Sequence, residues 1–369
     1  MYNIQFLSPI DGDVLFDTAD GIASDGVLTT KITVKAPKDS HIIINGVSAI
    51  YNDGIFYADI KLYAYRNSVW ARDVITGEEQ TIVIYRFKDA YKTYRFAVDD
   101  VIRCFEDIYK HRDEYTSIFE NPFLSIYKKL HETYGTHVQM HIYFQNDDGS
   151  FNLTMFPNKY KDEFIKNSSW LKFTFHALKD EPASPYKHAS FEQVFKEGKM
   201  VEAELCRFAG NEVMSKVTSE HWADSDIYAT RAFRALGYKV LDGYFLLNED
   251  GEPYVSYYLN IEQTIHAAAR DFWVDNKEDI IFVKDDIVVN NIELDKITEY
   301  LDKIKAEPFN HAFMYILIHE QYFYMDYIGY QKNYKEKVFA TVKWMKDNGY
   351  RSTFLIDIAF ERLDFENKP

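Results

Sequence analysis

Residues 93–100 read Thr93-Tyr94-Arg95-Phe96-Ala97-Val98-Asp99-Asp100, a run of β-formers closed by two acids. A mostly apolar run stopped by paired carboxylates predicts a strand with polar groups gathered at its C-terminal end. The same grammar recurs downstream. Apolar runs at 137–144 (HVQMHIYF), 171–177 (LKFTFHA), 201–209 (VEAELCRFA), 216–222 (KVTSEHW), 239–245 (KVLDGYF), 279–285 (DIIFVKD) and 312–320 (AFMYILIHE) read as further strands. Helical patterns between them fall at 117–134, 158–168, 188–198, 224–236, 260–272, 292–305 and 332–348. Strands alternating with helices predict a parallel sheet joined by crossover helices. Seven or eight such units fit a distorted (β/α) barrel, and neither a dinucleotide fingerprint nor a phosphate-binding loop opens any of the helices.

Before residue 90 the pattern is different. Short runs (KITVKA, HIIING, IFYADIKL, SVWARD, QTIVIYRF) are separated by turn residues such as Asn45-Gly46 and Asn52-Asp53-Gly54, as in an antiparallel β-sandwich. The expected architecture is α/β, with an N-terminal β-sandwich over 1–90 and a barrel over 91–369. At 369 residues, two domains are also what chain length favours.

Composition narrows the partners. The chain holds 29 Tyr and 28 Phe, ample material for a packed interior, and a formal charge of -16. That charge argues against nucleic acid, whose backbone is gripped by clustered Lys and Arg. No run approaches about 18 consecutive apolar residues and no basic-then-apolar leader is visible, so no membrane association and a cytoplasmic location are expected. Cys104 and Cys206 form no metal-type spacing and read as small hydrophobes.

In an α/β barrel the chemistry collects where strands end. Asp99 and Asp100, His176, Arg207, Glu220 and His221, and His319 and Glu320 all fall at predicted strand ends. Imidazole and carboxylate are suitable ligands for a divalent metal, zinc foremost. Asp100, His176 and Asp180 make one candidate set, with Asp99 as general base and His319 as general acid. Taken singly, Asp99-Asp100 reads equally well as a helix cap, and Asp285-Asp286 reads as one. Trp222, Trp273, Tyr257-Tyr258 and the run at 320–324 offer aromatic faces for sugar rings.

Two resemblances bear on these residues. The stretch 43–86, with its I-N-G-V and F-x-A-x-I-x-L motifs, resembles an immunoglobulin-like module appended to carbohydrate-active enzymes. The segment after it resembles the polysaccharide deacetylase family, metal-dependent carbohydrate esterases on a distorted barrel. The match of Phe96-Ala97-Val98-Asp99-Asp100 implies Asp99 as base and Asp100 as ligand. Ile316-Leu317-Ile318-His319 implies His319 as acid, and Arg207 in RFAG matches the family's arginine motif. The family's second histidine is Asp180 here; Asp180 itself, His188 or His221 could replace it, and a strand end favours His221. Glu320 would orient His319 or bind metal. The expected function is a metal-dependent hydrolase deacetylating a carbohydrate. The alternatives are a glycoside hydrolase using two carboxylates such as Asp100 and Glu320, and an inactive carbohydrate-binding barrel.

Overall fold

The computed structural model describes residues 4–308 and 311–359 of a mixed α/β chain. Two compact units are distinguished: residues 4–91, 272–281 and 358–359 form one, and residues 92–271 with 282–357 the other. The first unit is thus discontinuous in sequence, and residues 360–369 of the expected second domain lie outside the described residues.

In the first unit the strands Val27–Lys35 and Ile55–Leu62 pair antiparallel, with Leu28 opposite Leu62, Ile32 opposite Ala58 and Val34 opposite Phe56. The period of two sends these side chains inward while Lys31 and Lys35 stay exposed. A second sheet runs Val14–Phe16, Glu79–Phe87, Arg66–Asp73, Ile42–Ile44, Val47–Ser48. Val69, Ala71, Ile82 and Ile84 from this sheet share one apolar core with the inward residues of the first. Arg86 is buried and makes a two-pronged pair with Asp17, both N–O distances being 2.6 Å.

The second unit is built on a parallel half-barrel in the order Leu171–Ala177, Val138–Tyr143, Thr93–Val101, Phe313–His319, Ile287–Val288. All nine residues of Thr93–Val101 are buried, because neighbours on each edge and packed elements on each face leave no solvent side. The sheet is extended by a parallel bridge from Phe173 to Met214, after which Val217–Thr218 pairs with Val240–Gly243.

One expected strand is a helix. Residues 201–209 lie within the helix Phe191–Phe208, apart from Ala209 at its C-terminal end, and Ser190 caps its start by accepting from the Gln193 N–H. Val194, Gly198, Val201, Leu205 and Phe208 are buried, a spacing of three and four that overrides the two-residue alternation of V-E-A-E-L. Among the described residues no helix is long and apolar enough to cross a membrane.

Candidate functional site

Adjacent residues of a regular strand point to opposite faces, yet Asp99 and Asp100 both approach His176 Nε2, at 3.9 and 3.1 Å. The register against Val138–Tyr143 slips between Val98 and Val101, and Asp100 has a φ of 63°. A bulge with one residue in the left-handed region turns both carboxylates toward the same mouth, and Asp tolerates that conformation better than most residues.

Behind Asp99 lies a buried chain of polar groups. Arg95 Nη2 is 2.7 Å from His141 Nε2 and its Nη1 is 3.1 Å from Asp242 Oδ1. A guanidinium only donates, so His141 Nε2 accepts and the ring carries its proton on Nδ1. That Nδ1 lies 2.7 Å from Asp99 Oδ1, although off the direction of a good hydrogen bond. Burial pushes the Asp99 carboxyl up, but His141 and His176 together hold it below the ordinary value.

Asp100, His176 and His221 bring one donor atom each within 4.8 Å of one another, and Asp99, His141 and His176 form a second such group. His176 Nδ1 donates to the Ser219 carbonyl at 2.6 Å, which turns Nε2 toward Asp100. Burial opposes charge on His176; Asp99 and Asp100 outweigh it and raise its pKa to about 9. Burial likewise acts against the Asp100 carboxylate, yet hydrogen bonds from His176 and His221 hold its pKa well below the usual range. The Tyr143 hydroxyl lies among these groups, 2.5 Å from Asp100 Oδ1, 2.8 Å from His221 Nδ1 and 3.0 Å from Asp180 Oδ1. Burial keeps it protonated, well above its ordinary pKa. Asp180 is at the rim, 3.4 Å from His221 Nε2 and outside both donor groups, with its pKa raised by burial and by Asp100.

His319 faces the same cavity, of about 510 Å³. Its Nδ1 is 2.9 Å from Asn290 Oδ1, which also accepts the His319 backbone N–H at 3.2 Å. An amide oxygen only accepts, so Nδ1 holds the proton and Nε2 is left to the cavity. Trp222, 42% exposed, and Tyr254 stand 6.2 Å apart on the wall, and Tyr322 and Tyr327 line it as well.

Several expected site residues lie elsewhere. Arg207 is in the last turn of a helix, tied to Glu204, Asn158 and the carbonyls of Leu153 and Phe156. Glu320 is fully buried, and its carboxylate accepts from the backbone N–H groups of Ile102, Arg103 and Cys104, each at 2.7 Å. It therefore caps the helix Arg103–Lys110, the role that sequence offered to Asp99-Asp100, and neither orients His319 nor lines the cavity. Asp285-Asp286 caps no helix: Asp285 lines the cavity and Asp286 accepts the Tyr315 N–H at 2.7 Å. His188 is exposed and outside the donor groups. Trp273 belongs to the first unit, its Nε1 donating to the Asp11 carbonyl, and Tyr257 is buried with its hydroxyl on the Asp242 carbonyl. Phe323 and Tyr324 pack against Phe123.

Three contributors carry no role in the sequence pattern: His141, Tyr143 and Asn290; Gln321, expected only as part of the aromatic run at 320–324, has its Nε2 2.5 Å from Asp100 Oδ2. Tyr143 closes the HVQMHIY segment, so the strand-end rule extended to hydroxyls finds it. Asn290 lies in a short 3₁₀ turn with no such signal.

No protein-family model matches the chain, and no curated protein matches it. Among solved structures it is similar to a Bacteroides ovatus GH5 xyloglucanase in complex with a XXXG heptasaccharide, with 8% identity, 93% of this chain and 100% of that chain covered, and a TM-score of 0.25. It is similar also to a candidate α-galactosidase of Bacteroides fragilis, with 10% identity, 94% and 79% covered, and a TM-score of 0.28. Neither the deacetylase nor the immunoglobulin-like resemblance gains support from these comparisons.

Proposed function

We propose that the second unit is a metal-dependent hydrolase acting on an acylated carbohydrate, most simply by deacetylation. The observation that carries this is the convergence of Asp100, His176 and His221 at strand ends, flanked by Asp99 and His319 in one cavity. The donor set fits a divalent cation such as zinc: one carboxylate and two imidazoles, with His176 oriented from behind by the Ser219 carbonyl. When bound, such a cation polarises a carbonyl and acidifies water. Asp99, held ionised, takes the proton from the attacking water. His319, its Nδ1–H fixed on Asn290, presents Nε2 to the leaving group and, as the imidazolium with a second proton on Nε2, delivers that proton there and returns to the neutral ring. His141 and Arg95 keep Asp99 in place from behind.

A metal-free glycoside hydrolase is the second reading, and Asp285 favours it. Burial, then Asp242 and Asp99, push the Asp285 carboxyl well above its ordinary pKa, the protonated state that a general acid needs. Pairing Asp100 with Glu320 is not open to it, since Glu320 is spent on backbone N–H groups.

Elemental analysis of protein purified without chelator separates the readings. Near-stoichiometric divalent metal, lost in Asp100→Ala and His176→Ala, together with acetate release from acetylated sugars, is the expected result. A metal-free wild type that releases no acetate overturns the proposal, and glycosidase activity abolished by Asp285→Asn then establishes the second reading.

A further inference from the structure

A second cavity of about 510 Å³ adjoins the one described, and the two share Asp100, Asp180, Gln321 and Tyr327. We propose that they are two arms of one cleft, and that the substrate is a linear oligosaccharide lying across Asp100 with sugar units in both, so that reaction falls on an internal unit. This rests on the hydrolase reading.

The argument starts from where the reactive groups stand. His176, His221 and His319 line the first cavity and not the second, whereas Tyr143 lines the second and not the first. Asp100 sits at the junction, one oxygen toward Tyr143 and the other toward Gln321. The reacting bond is therefore at one end of each arm rather than at the bottom of a closed pocket. Each arm has the volume of a small-molecule site, far more than an acyl group requires. A site specific for a chain end would be closed on one side of the reacting unit.

The arms differ in chemistry. The first offers aromatic faces, Trp222 and Tyr254, on which pyranose rings stack. The second offers Gln145, Asn146, Ser150 and Arg103, donors and acceptors suited to sugar hydroxyls. A chain crossing the centre would be held by its faces on one side and by its hydroxyls on the other.

The test is calorimetric titration of the Asp99→Asn protein with acetamido-sugar oligomers from mono- to hexasaccharide. Affinity is expected to keep rising beyond the disaccharide. Gln145→Ala should weaken the hexasaccharide about fivefold and leave the disaccharide unchanged, while Tyr254→Ala should weaken both about fivefold. A disaccharide that binds as tightly as the hexasaccharide overturns the two-armed cleft. So does an unchanged hexasaccharide affinity in both Gln145→Ala and the cavity-filling Ser150→Trp. Acetate release from the disaccharide by wild type keeps the hydrolase reading in either case; folded protein that binds no oligomer and releases no acetate sinks both.

Discussion

The strands Val27–Lys35 and Thr93–Val101 are each nine residues long and each lies inside its sheet, yet they treat charge in opposite ways. In the first, alternate residues reach solvent, and both lysines are exposed. In the second every residue is buried, Arg95, Asp99 and Asp100 included. Burying an ionised group costs several kcal/mol unless partners replace its water. The second unit spends Arg95, His141, Tyr143, His176, His221 and Gln321 on that replacement. A packed core needs none of this, as the first strand demonstrates. On the hydrolase reading proposed above, these are the charges kept for chemistry.

The largest test of that statement is Asp99→Asn. It keeps the shape and removes the proposed base, so the hydrolytic rate should fall about a thousandfold with little change in the urea midpoint. Stability lost without any loss of rate would make Asp99 a structural group and dissolve the contrast. Next comes Glu320→Ala, which leaves three backbone N–H donors at the start of the helix Arg103–Lys110 without their carboxylate acceptor. Urea unfolding should show a loss of about 3 kcal/mol. A large rate loss at unchanged stability would instead put Glu320 in the site.

Asp286 provides a pH test of buried charge away from the cavity. Burial raises its pKa from 3.8 to about 7, against the opposing pull of Lys284 and the Tyr315 N–H. Between those values the native state holds a proton that the unfolded chain has released, so stability falls as pH rises, by up to about 1.4 kcal/mol per unit. Below 3.8 and above about 7 the contribution is flat. Urea midpoints measured from pH 4 to pH 8 should decline less in Asp286→Asn than in wild type. Parallel pH profiles would show that Asp286 ionises in the native state as readily as in the unfolded chain.

The sequence made the strand ends legible and the turns after them illegible. Asp99, Asp100, His176, His221 and His319 are legible because each follows an apolar run, and all five line one cavity. Glu320 obeyed the same pattern and misled, since one residue past a strand the chain enters a 3₁₀ turn and the side chain swings to a helix N-terminus. Arg207 misled for a different reason: V-E-A-E-L alternates, and only burial at three- and four-residue spacing exposes the helix. Asn290 was invisible because its role depends on a hydrogen bond to a residue 29 positions away. In Asn290→Ala that bond is lost, and the rate should drop about tenfold, with the alkaline limb of the pH–rate profile displaced. A structural role alone would leave the profile in place.

The smallest effect falls on the first strand and closes the comparison. Lys31 stands on the outer face with Nζ 4.9 Å from the Tyr57 ring centroid. An exposed cation–π contact is worth about 0.5 kcal/mol, so Lys31→Ala should move the urea midpoint barely beyond error and leave hydrolysis untouched. The Lys31 head group is solvated in the folded and unfolded chain alike, whereas Glu320 and Asp99 give up their water on folding. A Lys31→Ala loss approaching that of Glu320→Ala would mean that solvent does not distinguish the two strands, and the inference from burial to chemistry would lose its footing.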